Sequence, residues 1–244
     1  MDRDATTPYG RSADAYDLIY EGIGKDYATE SRDVTAVVRD RLPGARRLLD
    51  VACGTGGHLV HLRHDFEVEG VELSRHMADR ARVRVPDVPV HRGDMRTFDL
   101  DDRFDAVVCL FSSIGYARTA DDLRRSLATM SDHLRPGGVL VVDAWLTPEA
   151  WEDGHVSADS TTQAGRAVAR ATRSWRVGRT STLDMTWLIT TPDGTDTVHE
   201  RHEMGLFTSE EMREALTAVG VVDVAELPGA VMGTRSRWVA SAPA

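Results

Sequence analysis

Cysteine is scarce in this chain of 244 residues: Cys53 and Cys109 are the only two, too few for a disulfide framework or a thiolate metal cluster. No apolar run approaches the roughly 20 residues that a membrane helix needs. The start, Met1-Asp2-Arg3-Asp4, also lacks the charged-then-apolar layout of a secretion signal. The expected location is the cytoplasm, with no membrane partner. Positive charge is short as well, since 29 Lys and Arg face 39 Asp and Glu for a formal net charge of −10. Nucleic-acid binding draws on clustered cations that neutralise phosphates, so this balance argues against nucleic acid as acceptor or partner. No G-x-x-x-x-G-K-[ST] loop occurs, which argues against ATP; His199-Glu200-Arg201-His202-Glu203 lacks the two-residue gap of H-E-x-x-H, and no metal is expected.

What is present is an ordinary globular composition, 41% hydrophobic and 28% charged, long enough for one α/β domain with an insertion. Its centre is Arg47-Leu48-Leu49-Asp50-Val51-Ala52-Cys53-Gly54-Thr55-Gly56-Gly57-His58. An apolar run turning through close-set glycines into an amphipathic segment reads as strand, tight turn and helix start. Glycines there let backbone approach a ligand closely. The residue three after Gly56 is Leu59, so the last glycine of G-x-G-x-x-G is missing and a pyrophosphate cradle is not expected. The next run, Phe66 to Leu73, carries Glu72 near its end, where a carboxylate can accept from both ribose hydroxyls. After Val88 to His91, Asp94 can accept an adenine amino proton and Met95 can pack on the ring. Together these favour S-adenosylmethionine over a dinucleotide or ATP.

The residues Leu49-Asp50-Val51-Ala52-Cys53-Gly54-Thr55-Gly56, Gly70-Val71-Glu72-Leu73-Ser74, Gly93-Asp94-Met95-Arg96 and Leu134-Arg135-Pro136-Gly137-Gly138 resemble the successive motifs of class I S-adenosylmethionine-dependent methyltransferases. Gly24-Lys25-Asp26-Tyr27 and Phe111-Ser112-Ser113-Ile114-Gly115-Tyr116 resemble, within that superfamily, the branch that N,N-dimethylates nucleotide-linked amino sugars for antibiotics. The resemblance implies a Rossmann-like α/β fold with a seven-stranded sheet whose last strand is antiparallel. It also implies an N-terminal lid over residues 1–28 on a methyltransferase domain formed by 29–155 and 208–244. Residues 1–8 are polar and read as mobile. The loosely alternating stretch 156–207, broken at Val177-Gly178-Arg179 and Pro192-Asp193-Gly194, reads as an antiparallel β-sheet inserted after the fifth core strand. It roofs the acceptor, makes a homodimer or higher homo-oligomer, or merely caps the core.

The cofactor is expected against Tyr16, Ala52, Gly54 and Gly56, with Glu72, Asp94, Met95 and Leu110 completing its site. Of these, Tyr16 takes its place from the resemblance, as the tyrosine of the branch's Tyr-Asp pair. The resemblance also places Tyr9 and Tyr27, as the branch's flanking lid tyrosines, at the acceptor, and Tyr116 joins them from the loop after the fourth strand; Tyr9 and Tyr116 are expected nearest the chemistry, where a phenol can hydrogen-bond an amine while its ring excludes water. Tyr20 stays open between packing and function. Some members of the branch carry histidine where Tyr116 stands, so no obligatory imidazole base is expected at that position. Trp145 and Pro148 alone match the branch's Glu-Pro-Trp-Trp-Phe-Pro segment. Arg235 either pairs with an acceptor phosphate, as the branch's arginine does, or lies on the surface. His58, His61 and His64 recur every three residues and read as a solvated helical face rather than a metal site.

Methyl transfer from a sulfonium is an in-line displacement that needs a deprotonated nucleophile, alignment and dryness. An amine can shed its proton to water before binding; a hydroxyl wants a tuned base beside it. Tyrosines around the acceptor therefore favour a small amine, and the expected activity is N-methylation of a secondary metabolite, foremost a nucleotide-linked amino sugar. A free amine-bearing antibiotic precursor, a small-molecule O-methyltransferase and a non-catalytic metabolite-binding module are the alternatives.

Overall fold

Strands β1 (Arg47–Val51), β2 (Glu67–Glu72), β3 (Val90–Arg92), β4 (Phe104–Cys109) and β5 (Leu134–Asp143) run parallel, and β10 (Val222–Val231) and β11 (Arg235–Ser241) complete a seven-stranded sheet in the order β10-β11-β5-β4-β1-β2-β3. The computed structural model describes Tyr9 and residues 12–244, without the Asp14 side chain; the expected mobile lead, residues 1–8, lies outside the described residues. As expected, β11 is antiparallel to β5.

The continuous apolar runs are explained by helices on both faces of the sheet. Leu48, Ala106, Val108, Val139 and Val141 point into one core, with Val34 and Val38 of α2 (Tyr27–Arg41), Leu59 of α3 (Gly57–Leu62) and Ala78 of α4 (Arg75–Arg84). Their neighbours Leu49, Val107, Cys109, Leu140 and Val142 point into the other, with Leu123 and Leu127 of α5 (Ala120–Asp132) and Met212 of α6 (Ser209–Ala218). Truncating Leu48 or Leu49 to alanine would cost about 2–5 kcal/mol through lost burial and cavity formation. Helix starts are fixed by polar caps: the Asp26 carboxylate accepts from Thr29 N at 2.9 Å, and Thr208 with Glu211 forms a reciprocal box on α6.

The inserted sheet has four strands, in the order β6-β7-β8-β9: β6 (Val156–Gln163), β7 (Arg166–Val177), β8 (Thr180–Thr191) and β9 (Gly194–Gly205). Sequence patterning finds the last three and misses β6. Alternation sends Met185, Trp187 and Ile189 of β8 to one face, where Ala15 and Ile19 of α1 (Ala13–Gly22) complete a third core. The N-terminal helix is thus built onto the insertion. β5 carries a register shift against β4 between Phe104 and Ala106. β10 runs to Val231, and Arg235 opens β11.

Candidate active site

A cavity of about 1110 Å³ opens beyond the carboxyl ends of β1, β2 and β4, and is lined from below by Ala52, Glu72 and Leu110. The turn after β1 is left-handed at Ala52 (φ 61°) and Gly54 (φ 58°), which aims backbone at this space. Glu72, at the end of β2, is 8% exposed. One of its oxygens accepts from Gly54 N at 2.9 Å and the other from Ser74 N at 2.6 Å. Burial pushes this carboxyl up, against the N–H bonds from Ser74 and Gly54 that hold it down. Each oxygen keeps a lone pair for a further donor, which is what paired ribose hydroxyls require. Asp94 and Met95 line the same end. Asp94 is held by Arg96 at 2.6 Å, and that bond keeps its carboxyl below the usual range.

Above this floor stand the aromatic residues. Tyr9 meets Tyr16 edge to face at 4.9 Å between ring centroids, and Tyr16 meets Tyr20 at 4.5 Å. Tyr116, from the 3-10 turn Ser113–Tyr116, hydrogen-bonds Tyr9 and lies 2.7 Å from His202 Nδ1. Burial pushes the Tyr116 phenol well up, against the bond from Tyr9, which lowers it.

The loop before that turn is strained: Phe111 and Ser112 are both left-handed, with φ of 52° and 65°. Asp143 holds it by accepting from Phe111 N at 3.0 Å, and the Ser112 hydroxyl donates to Ala144 O at 2.6 Å. Arg237 anchors Asp143 from beneath at 2.7 Å. Ser112 in turn accepts from Arg235 Nη1 at 2.9 Å, and the Arg235 guanidinium stacks 4.9 Å from the Trp145 ring. Among the described residues no carboxylate hydrogen-bonds Arg235, and its Nε is buried without a partner.

The residues therefore form a ribose-type carboxylate, a glycine turn, an aromatic cage and an unmatched arginine around one cavity. A family model described as a methyltransferase domain matches residues 48–138. The chain is 46% identical over 211 residues to the dTDP-3-amino-3,4,6-trideoxy-alpha-D-glucopyranose N,N-dimethyltransferase of Streptomyces venezuelae, covering 86% of this chain and 89% of that protein. The chain belongs to this N,N-dimethyltransferase family. It is an S-adenosylmethionine-dependent N-methyltransferase. The methyltransferase is also 44% identical over 226 residues to the dTDP-3-amino-3,6-dideoxy-alpha-D-glucopyranose N,N-dimethyltransferase of Streptomyces fradiae, covering 92% of this chain and 88% of that protein. The crystal structure of Streptomyces venezuelae DesVI superposes with a TM-score of 0.90 at 44% identity, covering 95% of this chain and 98% of that one. S-adenosylmethionine-bound CalS10, an amino pentose methyltransferase from Micromonospora echinaspora, gives 0.84 at 42% identity, covering 93% and 96%.

Several expected residues of the methyltransferase sit differently from their sequence reading. Gly56 (φ 79°) does not line the cavity: a Cβ there would come 3.2 Å from the Ala81 Cβ, so the close approach it permits is to α4. Tyr27 lines the cavity at the glycine turn, where a Cβ on Gly57 would come within 2.5 Å of its ring, and its hydroxyl donates to Asp17 at 3.0 Å. That places it at the cofactor turn and apart from the Tyr9–Tyr116 contact. His58 is buried, not solvated, and its Nε2 lies 2.8 Å from Glu30. Burial lowers its imidazole, against the Glu30 bond that raises it. Only His64 of that trio is exposed, and it lies beyond the end of α3. Arg235 is not a surface arginine, since it lines the cavity with Trp145.

His202 is the functional candidate that sequence reasoning missed. It is 1% exposed and contacts both Tyr116 and Tyr9. Its signal was there as period-two spacing, which puts Glu200 and His202 on one face of β9. Among the described residues no group of three or more His, Cys, Asp or Glu is placed to hold a metal.

Proposed function

We propose that this enzyme N,N-dimethylates the amine of a nucleotide-linked amino sugar, in keeping with what its S. venezuelae and S. fradiae relatives are named for. The observation that carries the acceptor class is Arg235. A guanidinium in the cavity wall that, among the described residues, bonds Ser112 and Met232 and no carboxylate suits the diphosphate of such an acceptor.

In this reading Glu72 takes the ribose hydroxyls, Asp94 and Met95 the adenine, and Ala52, Gly54, Leu110 and Tyr16 the remainder of the cofactor. S-adenosylmethionine, when bound, supplies an electrophilic methyl group on a sulfonium that leaves as a neutral thioether. The chain's own residues position and desolvate. Tyr9 and Tyr116 hold the amine by hydrogen bonds, Trp145 walls the acceptor pocket, and Tyr9 and residues 12–28 with the 156–207 sheet cover it as lid and roof. Positioning of this kind is worth several kcal/mol of barrier without a strong base.

The test is mass spectrometry of products from three acceptors: a nucleotide-linked amino sugar, a free amine precursor and a sugar hydroxyl. Gain of two methyl groups on the nucleotide sugar is the expected outcome. Turnover of the free amine alone would move the acceptor to a precursor without a nucleotide, and turnover of the hydroxyl would overturn the amine.

A further inference from the structure

Resting on the amine acceptor proposed above, we propose that His202 and Glu200 of β9 are positioning residues that carry the proton of the methylated ammonium away through the Tyr116 hydroxyl, renewing the amine for a second transfer without its leaving the pocket.

The geometry is a chain of polar atoms running from the aromatic cage to the Glu200 carboxylate on β9. Tyr116 Oη lies 2.7 Å from His202 Nδ1, and His202 Nε2 lies 3.4 Å from Glu200 Oε2. The other Glu200 oxygen accepts from the Ser12 hydroxyl at 2.7 Å, just before α1. The two side chains are 1% and 7% exposed. A carboxylate at Nε2 favours the tautomer with its proton there, leaving Nδ1 as an acceptor, so that the Tyr116 hydroxyl donates to it. Tyr9 is the other side chain bonded to the Tyr116 hydroxyl. A phenol oxygen has two lone pairs, and Tyr116 lines the cavity where a further donor can reach it. The long Nε2 to Glu200 separation is of the kind that shortens once the ring becomes an imidazolium.

Among the described residues few groups face His202. Tyr116 reaches it from the 3-10 turn, Tyr9 packs 4.5 Å away from the N-terminal side, and Glu200 stands two residues back on its own strand. On β8 its cross-strand partner is Leu183, which carries no charge. Tyr20 and Glu72 act on Tyr116 at longer range.

The first transfer forms an N–CH3 bond from the nitrogen lone pair as the S–CH3 bond breaks, its electrons staying on sulfur. The nitrogen is then an ammonium with no lone pair for a second transfer. Its N–H proton passes to Tyr116 Oη while the Tyr116 proton passes to His202 Nδ1, so neither a phenolate nor a free proton is formed. The imidazolium is held by Glu200 until it gives the proton to solvent.

Two variants test the relay in the full-length enzyme supplied with a nucleotide-linked amino sugar. His202→Phe keeps a ring and removes both nitrogens; Glu200→Gln keeps the shape and removes the charge. The readout is the ratio of monomethyl to dimethyl product, followed from neutral to alkaline pH. The wild type should release mostly dimethyl product at neutral pH. Both variants should raise the monomethyl share about tenfold or more there, within the range for loss of a proton-transfer partner, and regain dimethyl product as alkaline buffer deprotonates the amine. A purely structural role would lower both transfers together and leave the pH profile unmoved. Nitrogen-15 NMR of the ligand-free protein supplies a readout that does not depend on turnover. His202 should carry its proton on Nε2, and Tyr116→Phe should shift the Nδ1 signal. A wild type that dimethylates while both variants keep its product ratio at every pH overturns the relay alone, as does an Nδ1-protonated ring. A wild type that leaves the amino sugar untouched overturns the acceptor and the relay together.

Discussion

The Asp17 carboxylate on α1 accepts a hydrogen bond from the Thr55 hydroxyl of the glycine turn at 2.7 Å. The same oxygen takes the Tyr27 hydroxyl at 3.0 Å, and its partner oxygen takes Arg84 at 2.7 Å. One side chain thus fastens the N-terminal helix to the turn that shapes the cofactor end of the cavity. Replacing it by alanine leaves a hydroxyl, a phenol and a guanidinium short of an acceptor. Asp17→Ala should raise the cofactor dissociation constant about tenfold, equivalent to about 1.4 kcal/mol. Calorimetric titration with S-adenosylhomocysteine checks this, and an unchanged constant would show that the clasp does not reach the cofactor site.

Beneath the acceptor side, Asp143 and Arg237 form an ion pair with side chains only 2% and 4% exposed. Removing one partner leaves an uncompensated buried charge and frees the strained Phe111–Ser112 loop. Arg237→Met is expected to cost about 3–5 kcal/mol in urea denaturation. Joint replacement of both residues by apolar ones should cost less than that single change. A double variant less stable than Arg237→Met would show that the Asp143 bond to Phe111 N dominates the pair.

Burial holds the Tyr116 phenol above its ordinary range. A raised phenol pKa keeps the O–H form across the assay range, so activity should climb with pH as the amine loses its proton and then stay level up to about pH 10, the ordinary phenol value. A fall within that range would mean that the phenol ionises and that the O–H form is required. Tyr9→Phe and Tyr116→Phe should each slow the first transfer by about tenfold or less, in keeping with positioning rather than obligatory acid–base work. Initial-rate profiles of the three proteins decide this.

Arg235→Ala should raise the KM for a nucleotide-linked acceptor by roughly tenfold to a hundredfold, the scale of a charge-assisted phosphate contact. The KM for a free amine and the cofactor affinity should move little. Equal losses on both acceptors would take the diphosphate away from Arg235 and leave it a role in holding Ser112.

The methyltransferase core was legible because each device that builds it is local. A continuous apolar run such as Val107-Val108-Cys109 marks a strand covered on both faces, and the acid at the end of β2, Glu72, lines the cavity. Other features depend on partners distant in sequence. β6 is polar along most of its length and exposed at alternate residues, so its hydrogen bonds to β7 define it rather than any pattern of its own. His58 looked solvated because its burial depends on Glu30 and Tyr27 of α2. His202 lies 86 residues from the phenol that it meets. The motif around Gly56 suggests a ligand-facing glycine, since sequence cannot show that its open side faces Ala81.

Ala15 and Ile19 of α1 are buried against Val168, Trp187 and Val198 of the inserted sheet. The inserted sheet and the helix that completes its core are therefore discontinuous in the gene. A chimaera that imports β6 to β9 from a relative and keeps its own first helix would pair two half-cores that were never selected together. Transplanting residues 12–22 along with the insertion should restore that packing, which makes this pair of segments the natural unit of recombination in engineered variants.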